Sequence, residues 1–598
     1  MFEIEGRTRL HKVTRVLVDT AMGRCKADLV VQNGSIVNVN SGEILEKQGI
    51  AIKEDRIAIV GDVGHTIGPD TEIVDAKGKW VAPGFIDGHV HVESAMVTAT
   101  EFARAVLPHG TTSVFIDPHE IANVLGLNGV RFFIKEAQGI PLKVLITFPS
   151  CVPAAPGFET NGASIGPKEV QEAMGWKGVV ALGEVMNYPG VLAADPSVHG
   201  EIAATLQTGR VVEGHAVDLL DKDLAAYAAA GITSCHESTK KIQAVQKIRD
   251  GMYAMLREGS AARDVADTIR CVTEEKMDSH HVCLVTDDRE PNSLLNEGHI
   301  DHVIRRAIQE GTDPIRAIQM ATLNVAEHYE CAREVGNIAP ARYADIVILD
   351  KLETVQANTV IADGKVVCRD GRLTVKLPAP TYPKSARQSI HLKHKPSLND
   401  LSIRSKTKSG SVKVRAIGVM PEGIFTRHLE SEVPVRAGAA LANPKEDVAK
   451  IAVLERHKGS GNVAVGFIKG LGLREGAVAS TVAHDSHNLV VAGMDDNDMI
   501  AAANLLVQSG GGMAAVRKQK PLSHVPLPIA GIMSDKSVET VSKQIEGLKN
   551  AWSRLGSTLP SPTVTLAFAT LSVIPELRIT DKGLLDTVHF KFVSPVIE

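Results

Sequence analysis

The stretch Pro83-Gly84-Phe85-Ile86-Asp87-Gly88-His89-Val90-His91-Val92-Glu93-Ser94 constrains this chain more than any other. It reads as an apolar strand entered through Pro-Gly and ending in two histidines spaced i, i+2. Side chains alternate across a strand, so His89 and His91 face the same side, where they can share a metal ion. With Asp87 and Glu93 close by, such a cluster is costly to bury without a cation.

Between Gly84 and Tyr329 short apolar runs alternate with helical patterns, the signature of a parallel sheet built from βα units. The expected strands are Gly84–His91, Thr112–Asp117, Lys143–Phe148, Val179–Val185, Val211–His215, Ile232–His236, Tyr253–Arg257 and Val282–Asp287. Eight strands in this length is the count and size of a (β/α)8 TIM-like barrel. His89, His91, Glu184, His215, His236 and Asp287 all fall at or just past the C-terminal end of an expected strand. In a barrel those ends share one mouth, so the six side chains converge. Taken singly, each has a structural alternative: Glu184 a loop-facing carboxylate, His215 a helix-entry histidine, Asp287 an N-cap for the next helix. Taken together, so ordered a placement is rarely produced by chance.

The flanks complete the α/β reading. Strand-and-turn patterns at Ala27–Gly34 and Gln48–Gly61 return at Ala344–Asp350 and Val360–Val367, which suggests one companion β-sandwich split by the barrel. A chain of 598 residues is also too long for one ordinary core. The expected divisions are 1–82 and 334–375 for the companion, 83–333 for the barrel, 376–411 for a proline-rich, charged linker, and 412–598 for a C-terminal α+β domain. In that last region His484-Asp485-Ser486-His487-Asn488 is the densest polar cluster. It reads either as a further metal or proton-transfer site or, more safely, as a polar loop before the strand Leu489–Gly493.

A net charge of −5 gives no global field for nucleic acid or an anionic membrane and favours a small polar or neutral partner. The charged start, Met1–Arg7, lacks a signal-peptide core, and no run is long enough to span a bilayer, so the expected location is the cytoplasm. Seven cysteines without a CxxC pair argue against both a disulfide framework and a thiolate zinc site.

The order strand-1 His-x-His, strand-4 carboxylate, strand-5 His, strand-6 His and strand-8 Asp resembles the amidohydrolase superfamily. Many binuclear members carry a carboxylated lysine at the end of strand 4, where this chain has Glu184; its nearest lysine, Lys177, lies before the strand. Together with Pro118-His119-Glu120, Gly183-Glu184-Val185-Met186-Asn187, Ser234-Cys235-His236-Glu237-Ser238, Met255-Leu256-Arg257-Glu258-Gly259-Ser260 and Thr286-Asp287-Asp288-Arg289, that glutamate resembles the bacterial adenine deaminase family over nearly the whole chain.

The resemblance implies hydrolytic deamination of adenine to hypoxanthine and ammonia. Two divalent ions fit the residues: one held by His89, His91 and Asp287, the other by His215 and His236, with Glu184 bridging. Oxygen-rich bridging and the resemblance favour Fe2+ or Mn2+, with Zn2+ also compatible with imidazole and carboxylate. Such ions supply hydroxide near neutral pH for attack at C6 of the purine. Asp287 is the candidate proton carrier, with Glu184 beside it in the catalytic pair. Glu93, His119, Glu120, Arg257 and His487 are candidates for contacting the purine, with Glu93 or Glu120 alternatively an additional proton donor. The resemblance also implies that the His484–Asn488 loop helps close or line the barrel mouth. His119–Glu120 read either as holders of a further metal or the purine edge or, equally, as a loop-to-helix entry. Arg257 and Glu258 read either as a supporting salt bridge or as a base-orienting pair. A homodimer is the expected assembly. The competing readings are a hydrolase of another heterocycle, cyclic amide or ureide, and a non-catalytic barrel scaffold. A nucleic-acid deaminase is disfavoured because the H-x-E with P-C-x-x-C pattern is absent.

Overall fold

The computed structural model describes residues 4, 6–420 and 425–597. Residues 1–3 and 5 of the charged N-terminal stretch, and residues 421–424 and 598 of the C-terminal region, lie outside the described residues.

Strands β1 (Leu29–Asn38), β2 (Glu43–Lys53), β3 (Arg56–Gly61), β4 (Glu72–Asp75) and β5 (Trp80–Pro83) open the chain. The next are β6 (Phe85–His91), β7 (Thr111–Ile116), β8 (Lys143–Phe148), β9 (Val179–Val185), β10 (Val211–Gly214), β11 (Ser234–Cys235), β12 (Tyr253–Arg257), β13 (Val282–Val285) and β14 (Asp287–Asp288). After them come β15 (Ile346–Leu349), β16 (Ala357–Ala362), β17 (Lys365–Arg369) and β18 (Arg372–Leu373).

β6 to β10 pair in parallel, in order, and the short β14 returns to pair with β6 through Asp287 opposite Val90 and Asp288 opposite His91. β11, β12 and β13 form a second parallel set, joined to β10 by the bridge Val212–Ile232. Helices join successive strands, and the result is a TIM-like α/β domain. β6, β7, β8 and β9 are buried along their whole length, as expected of strands covered on both faces. Ile86, Phe115, Leu145, Ala181, Met255 and Cys283, one from each of six strands, fill a core cluster separate from the larger one. Phe115 stacks there on Tyr329 with ring centroids 3.7 Å apart.

The expected strands recur with shifted ends. β11 keeps only Ser234 and Cys235 of Ile232–His236, and Thr286 breaks the eighth strand before Asp287, whose φ of 58° is left-handed. Both breaks turn a polar side chain out of the hydrogen-bonding ladder and toward the mouth, so the shortening is where strand geometry yields to the site.

β1–β5 and β15–β18 make one sheet, although the whole barrel lies between them in sequence. β5 is the seam, running parallel to β1 and antiparallel to β15, with Val81 opposite Ile348. β5 passes almost directly into β6 at Gly84, where an added Cβ would lie 2.2 Å from Thr112 Oγ1 and 3.0 Å from Asp345 Cβ. At the opposite end from the mouth, the fully buried Lys143 of β8 donates to Asp345 (2.7 Å) and meets Asp363 (2.5 Å), which also takes Arg7 Nε at 3.0 Å. A buried charge is tolerated when it is paired on several sides in this way.

The stretch 376–411 is anchored, with Leu377, Ala386 and Leu401 buried and Ile403–Arg404 paired to Ala439–Ala440. Beyond it lies a sheet of ten strands carrying the hairpin Ser409–Val419/Thr426–Arg436 and the central strands Val448–Leu454 and Leu489–Gly493. Helices Asp496–Ser509 and Val538–Leu555 pack on it, each with a side-chain N-cap, Asp495 and Ser537 respectively. This region rests on the barrel loops: Ser534 N–H donates to the Met96 carbonyl (2.8 Å), Asn488 to the Thr160 carbonyl (2.9 Å) and Thr160 to Asp581 (2.7 Å).

Candidate metal centre and active site

The six side chains expected at the strand ends meet in one buried cluster. His91 Nε2 lies 3.3 Å from Asp287 Oδ1 and 3.5 Å from Glu184 Oε1, and His89 Nε2 lies 3.9 Å from Asp287 Oδ1. On the other side of Glu184, Oε2 is 2.5 Å from His215 Nδ1 and 3.1 Å from His236 Nε2. His89 and His236 stack with centroids 3.9 Å apart. Glu184 therefore sits between the two halves of the cluster, with one oxygen toward each.

The tautomers show what the cluster lacks. His91 Nδ1 donates to the Asp117 carbonyl at 2.9 Å, which can only accept, so in the neutral ring Nε2 turns a lone pair toward two carboxylates. His89 Nδ1 is engaged by Glu213 Oε2 at 3.1 Å, leaving Nε2 buried with no hydrogen-bond partner among the described residues, as is His236 Nδ1. Lone pairs facing carboxylates repel unless a positive charge lies between them. Burial opposes a charged His91 ring, yet the Asp287 hydrogen bond and the Glu184 charge raise its pKa well above the ordinary value. Burial and the adjacent His89 push His236 down to about 4, as suits a neutral imidazole ligand. The groups His89–His91–Asp287, His89–Glu184–His236 and His215–His236–Glu237 each bring three ligand atoms within 4.8 Å of one another. These residues fit divalent cations by geometry, tautomer and charge.

The carboxylates differ in state. Burial raises Glu184, but His215 and His236 bring it well below the usual carboxylate range. Burial likewise raises Asp287, and the His91 hydrogen bond with the charges of His236 and Arg257 lowers it well below that range. Arg257 Nη1 donates to Asp287 Oδ2 at 3.0 Å and to Glu237, and its Nε donates to Asp264 at 2.8 Å. Glu93 Oε1 accepts the Ile121 amide at 3.2 Å, and burial pushes the carboxyl up to about 7.

The purine-contact candidates divide. Glu93, His119 and Glu120 are buried at the mouth; His119 Nδ1 is 3.4 Å from Glu184 Oε1. The helix His119–Leu125 begins at that pair, as the helix-entry reading expects, and both side chains are buried beside the cluster. His487, from the C-terminal region, donates to Glu120 Oε2. Arg257 and Glu258 are not a pair: Glu258 Oε2 accepts from the Val265 amide at 3.2 Å. Asp287 is no N-cap, since Glu290 occupies that place before Pro291–Asn296. Asp87 ties β6 to Thr286, accepting from its amide at 3.2 Å and its hydroxyl at 2.5 Å, and lies 3.1 Å from His299 Nε2.

Sequence reasoning missed Glu213, Asp117 and Glu237 as parts of the site, whereas His484 lies in the polar loop already marked as a candidate. Glu213 was open to the rule that found the first histidines, because it stands i, i+2 from His215. Nothing local marks Asp117, whose side chain accepts the Glu184 amide at 2.9 Å.

Residues 80–367 match the amidohydrolase family, and residues 423–591 match the adenine deaminase C-terminal domain. An adenine deaminase of Moorella thermoacetica is 53% identical over 98% of this chain and 99% of its own length. The chain belongs to the adenine deaminase family. Further members are the adenine deaminases of Clostridium botulinum, 45% identical over 100% of both chains, and of Mesorhizobium japonicum, 46% identical over 97% of this chain and 96% of that one. Among solved structures, a β-aspartyl dipeptidase of Fervidobacterium islandicum overlays on 58% of this chain and 98% of its own with a TM-score of 0.44 and 14% identity. The amidohydrolase family is generally metal-dependent, in keeping with the ligand groups above. Among the described residues no helix is long and apolar enough to cross a membrane.

Proposed function

We propose that the chain hydrolyses adenine to hypoxanthine and ammonia at a binuclear metal centre. The observation that carries this reading is Glu184, placed between His91 on one oxygen and His215 and His236 on the other within a family of adenine deaminases. In this proposal His89, His91 and Asp287 would hold one ion and His215 and His236 the other, with Glu184 shared between the two sets. Mn2+ or Fe2+ suits the mixed imidazole and carboxylate set, and Zn2+ is also compatible. When bound, divalent ions supply Lewis acidity: a hydroxide nucleophile near neutral pH and stabilisation of the negative charge that develops on the ring.

The protein's own groups do the rest. Asp287, kept anionic despite burial by His91, His236 and Arg257, is the base that takes the proton of the attacking water and carries it to the purine. A C–O bond forms at C6, the C–N bond to the exocyclic nitrogen breaks, and that nitrogen leaves as ammonia once protonated. Glu93, His119 and Glu120 line the position of the ring, with Glu93 the carboxyl that burial pushes up to about 7. Arg257 supports Asp287, and His487 reaches the site through Glu120.

The same proposal divides the chain into a split companion β-sandwich (1–82 and 334–375), the barrel (83–333), a linker (376–411) and a C-terminal α+β domain (412–598). It also takes the enzyme to be a cytoplasmic homodimer, a location consistent with seven free cysteines. The deciding test is ammonia release from a panel of purines, pyrimidines and cyclic amides by protein reconstituted separately with iron, manganese and zinc. Adenine turnover that requires metal and collapses in Glu184→Gln is expected; ring opening of a cyclic amide alone would overturn the substrate assignment.

A further inference from the structure

One part of the mouth is supplied from more than three hundred residues away. The Glu120 carboxylate takes His487 on Oε2 and His484 Nδ1 on Oε1 at 2.7 Å, and His119 Nε2 stands 3.4 Å from Oε1. Both His484 and His487 belong to the loop that precedes the strand Leu489–Gly493. Glu120, His484 and His487 have the composition of a metal site, so the protonation of His487 decides what the group does.

His487 Nδ1 accepts the Ala483 backbone N–H at 3.2 Å. A nitrogen that accepts carries no proton, so in the neutral ring the proton is on Nε2, and Nε2 faces Glu120 as a donor. Burial lowers the His487 pKa and keeps the ring neutral. A metal on Nε2 would require the opposite tautomer and would set Nδ1–H against the Ala483 N–H.

The loop holding this ring is itself clamped. Arg456, fully buried, donates through Nε to the His487 carbonyl, through Nη1 to the Ser389 carbonyl and hydroxyl (both 3.1 Å) and through Nη2 to the Ala530 carbonyl (2.9 Å). His457 Nε2 donates to the Ser486 carbonyl at 2.6 Å, and the His487 amide donates to the Ala483 carbonyl at 2.7 Å. A carboxylate met by donors so fixed has little freedom to rotate.

We propose that His487 is a positioning residue, fixed in one tautomer by the Ala483 amide, that orients Glu120 toward the purine, so that the C-terminal region completes the active site. This rests on the reading of Glu120 as a purine contact. An oriented carboxylate binds the ring alike before and during reaction, so its loss acts on KM more than on kcat.

The test uses the full-length chain loaded with Mn2+ and compares two substitutions. His487→Asn keeps an oxygen for the Ala483 amide but no longer reaches Glu120; His487→Gln carries an N–H to the Nε2 position. For adenine, His487→Asn should raise KM about 10- to 100-fold, the range for a hydrogen bond to a charged group, with kcat changed less than about threefold. His487→Gln should recover most of that loss, and both should keep the wild-type manganese content and melting temperature. Added to Glu120→Gln, His487→Asn should cost nothing further. Wild-type KM in His487→Asn, equal impairment of both variants, full additivity with Glu120→Gln, or loss of bound manganese each overturns the proposal. If His487→Asn fails to fold, His487→Ala takes its place in the comparison with His487→Gln and in the combination with Glu120→Gln, and decides in the same terms. A wild-type protein that releases no ammonia from adenine overturns the proposed function itself, whereas an active wild type with an unaffected His487→Asn overturns this inference alone.

Discussion

Glu184 and Glu213 show how differently two buried carboxylates serve one cluster. Glu184 shares its oxygens between His91 and the pair His215–His236, so neutralising it removes an anion common to both halves. Glu184→Gln should lower kcat for adenine by about 10³-fold or more, and metal analysis should show about half the wild-type content. Glu213 touches the cluster only through His89 Nδ1. It fixes which nitrogen faces the site, so Glu213→Gln should weaken metal binding by about 10- to 100-fold while leaving the fold intact. A titration against a competing chelator reads that difference, and unchanged affinity would show that the His89 tautomer is set elsewhere.

At the scale of elements, the site depends on how strand ends are spaced. β9 brings Gly183 against the end of β7, where a Cβ would lie 2.1 Å from Asp117 Oδ2, the atom that accepts the Glu184 amide. The neighbour is a buried carboxylate whose backbone carbonyl also orients His91, so it cannot swing away without disturbing a ligand. Gly183→Ala should therefore abolish adenine turnover and lower metal content together, although the substitution lies on no ligand. A fully active Gly183→Ala protein would mean that β7 and β9 can separate at the mouth. The periodicity that outlined β6 to β13 was legible because buried parallel strands are continuous apolar runs. The breaks at His236 and Thr286 were not, because a strand end set by a site has no apolar signature.

For the molecule as a whole, the contact between the C-terminal region and the barrel contains a pH-sensitive group. Glu159, on the loop after β8, accepts from the Ala155 amide (3.2 Å) and the Ser572 hydroxyl (2.9 Å), and burial with the nearby Asp485 charge pushes it up to about 8. Its folded pKa lies above the ordinary value of 4.5. The contribution to stability is complete below about pH 4.5 and is lost as pH rises toward 8. Glu159→Gln should thus gain about 1–3 °C in melting temperature over wild type at pH 8.5 and little at pH 5, measured by calorimetry on metal-loaded protein. Chelation should lower the wild-type melting temperature by releasing ligands that bind only to the folded state, and re-addition of manganese should restore it.

The sequence by itself determined the barrel, the flanking sheet in two pieces and the six residues that meet at the mouth. Strand periodicity and the C-terminal position of polar residues are local properties that survive in one dimension. Only the tertiary structure decided what stands behind those residues. That Glu213 and Asp117 set the tautomers of His89 and His91, that Arg257 supports Asp287 rather than pairing with Glu258, and that His487 reaches Glu120 from the far end of the chain are facts of three-dimensional approach. A hydrogen bond depends on a direction and a distance of about 3 Å between side chains, and the spacing of residues along a chain carries neither once the partners lie in different elements.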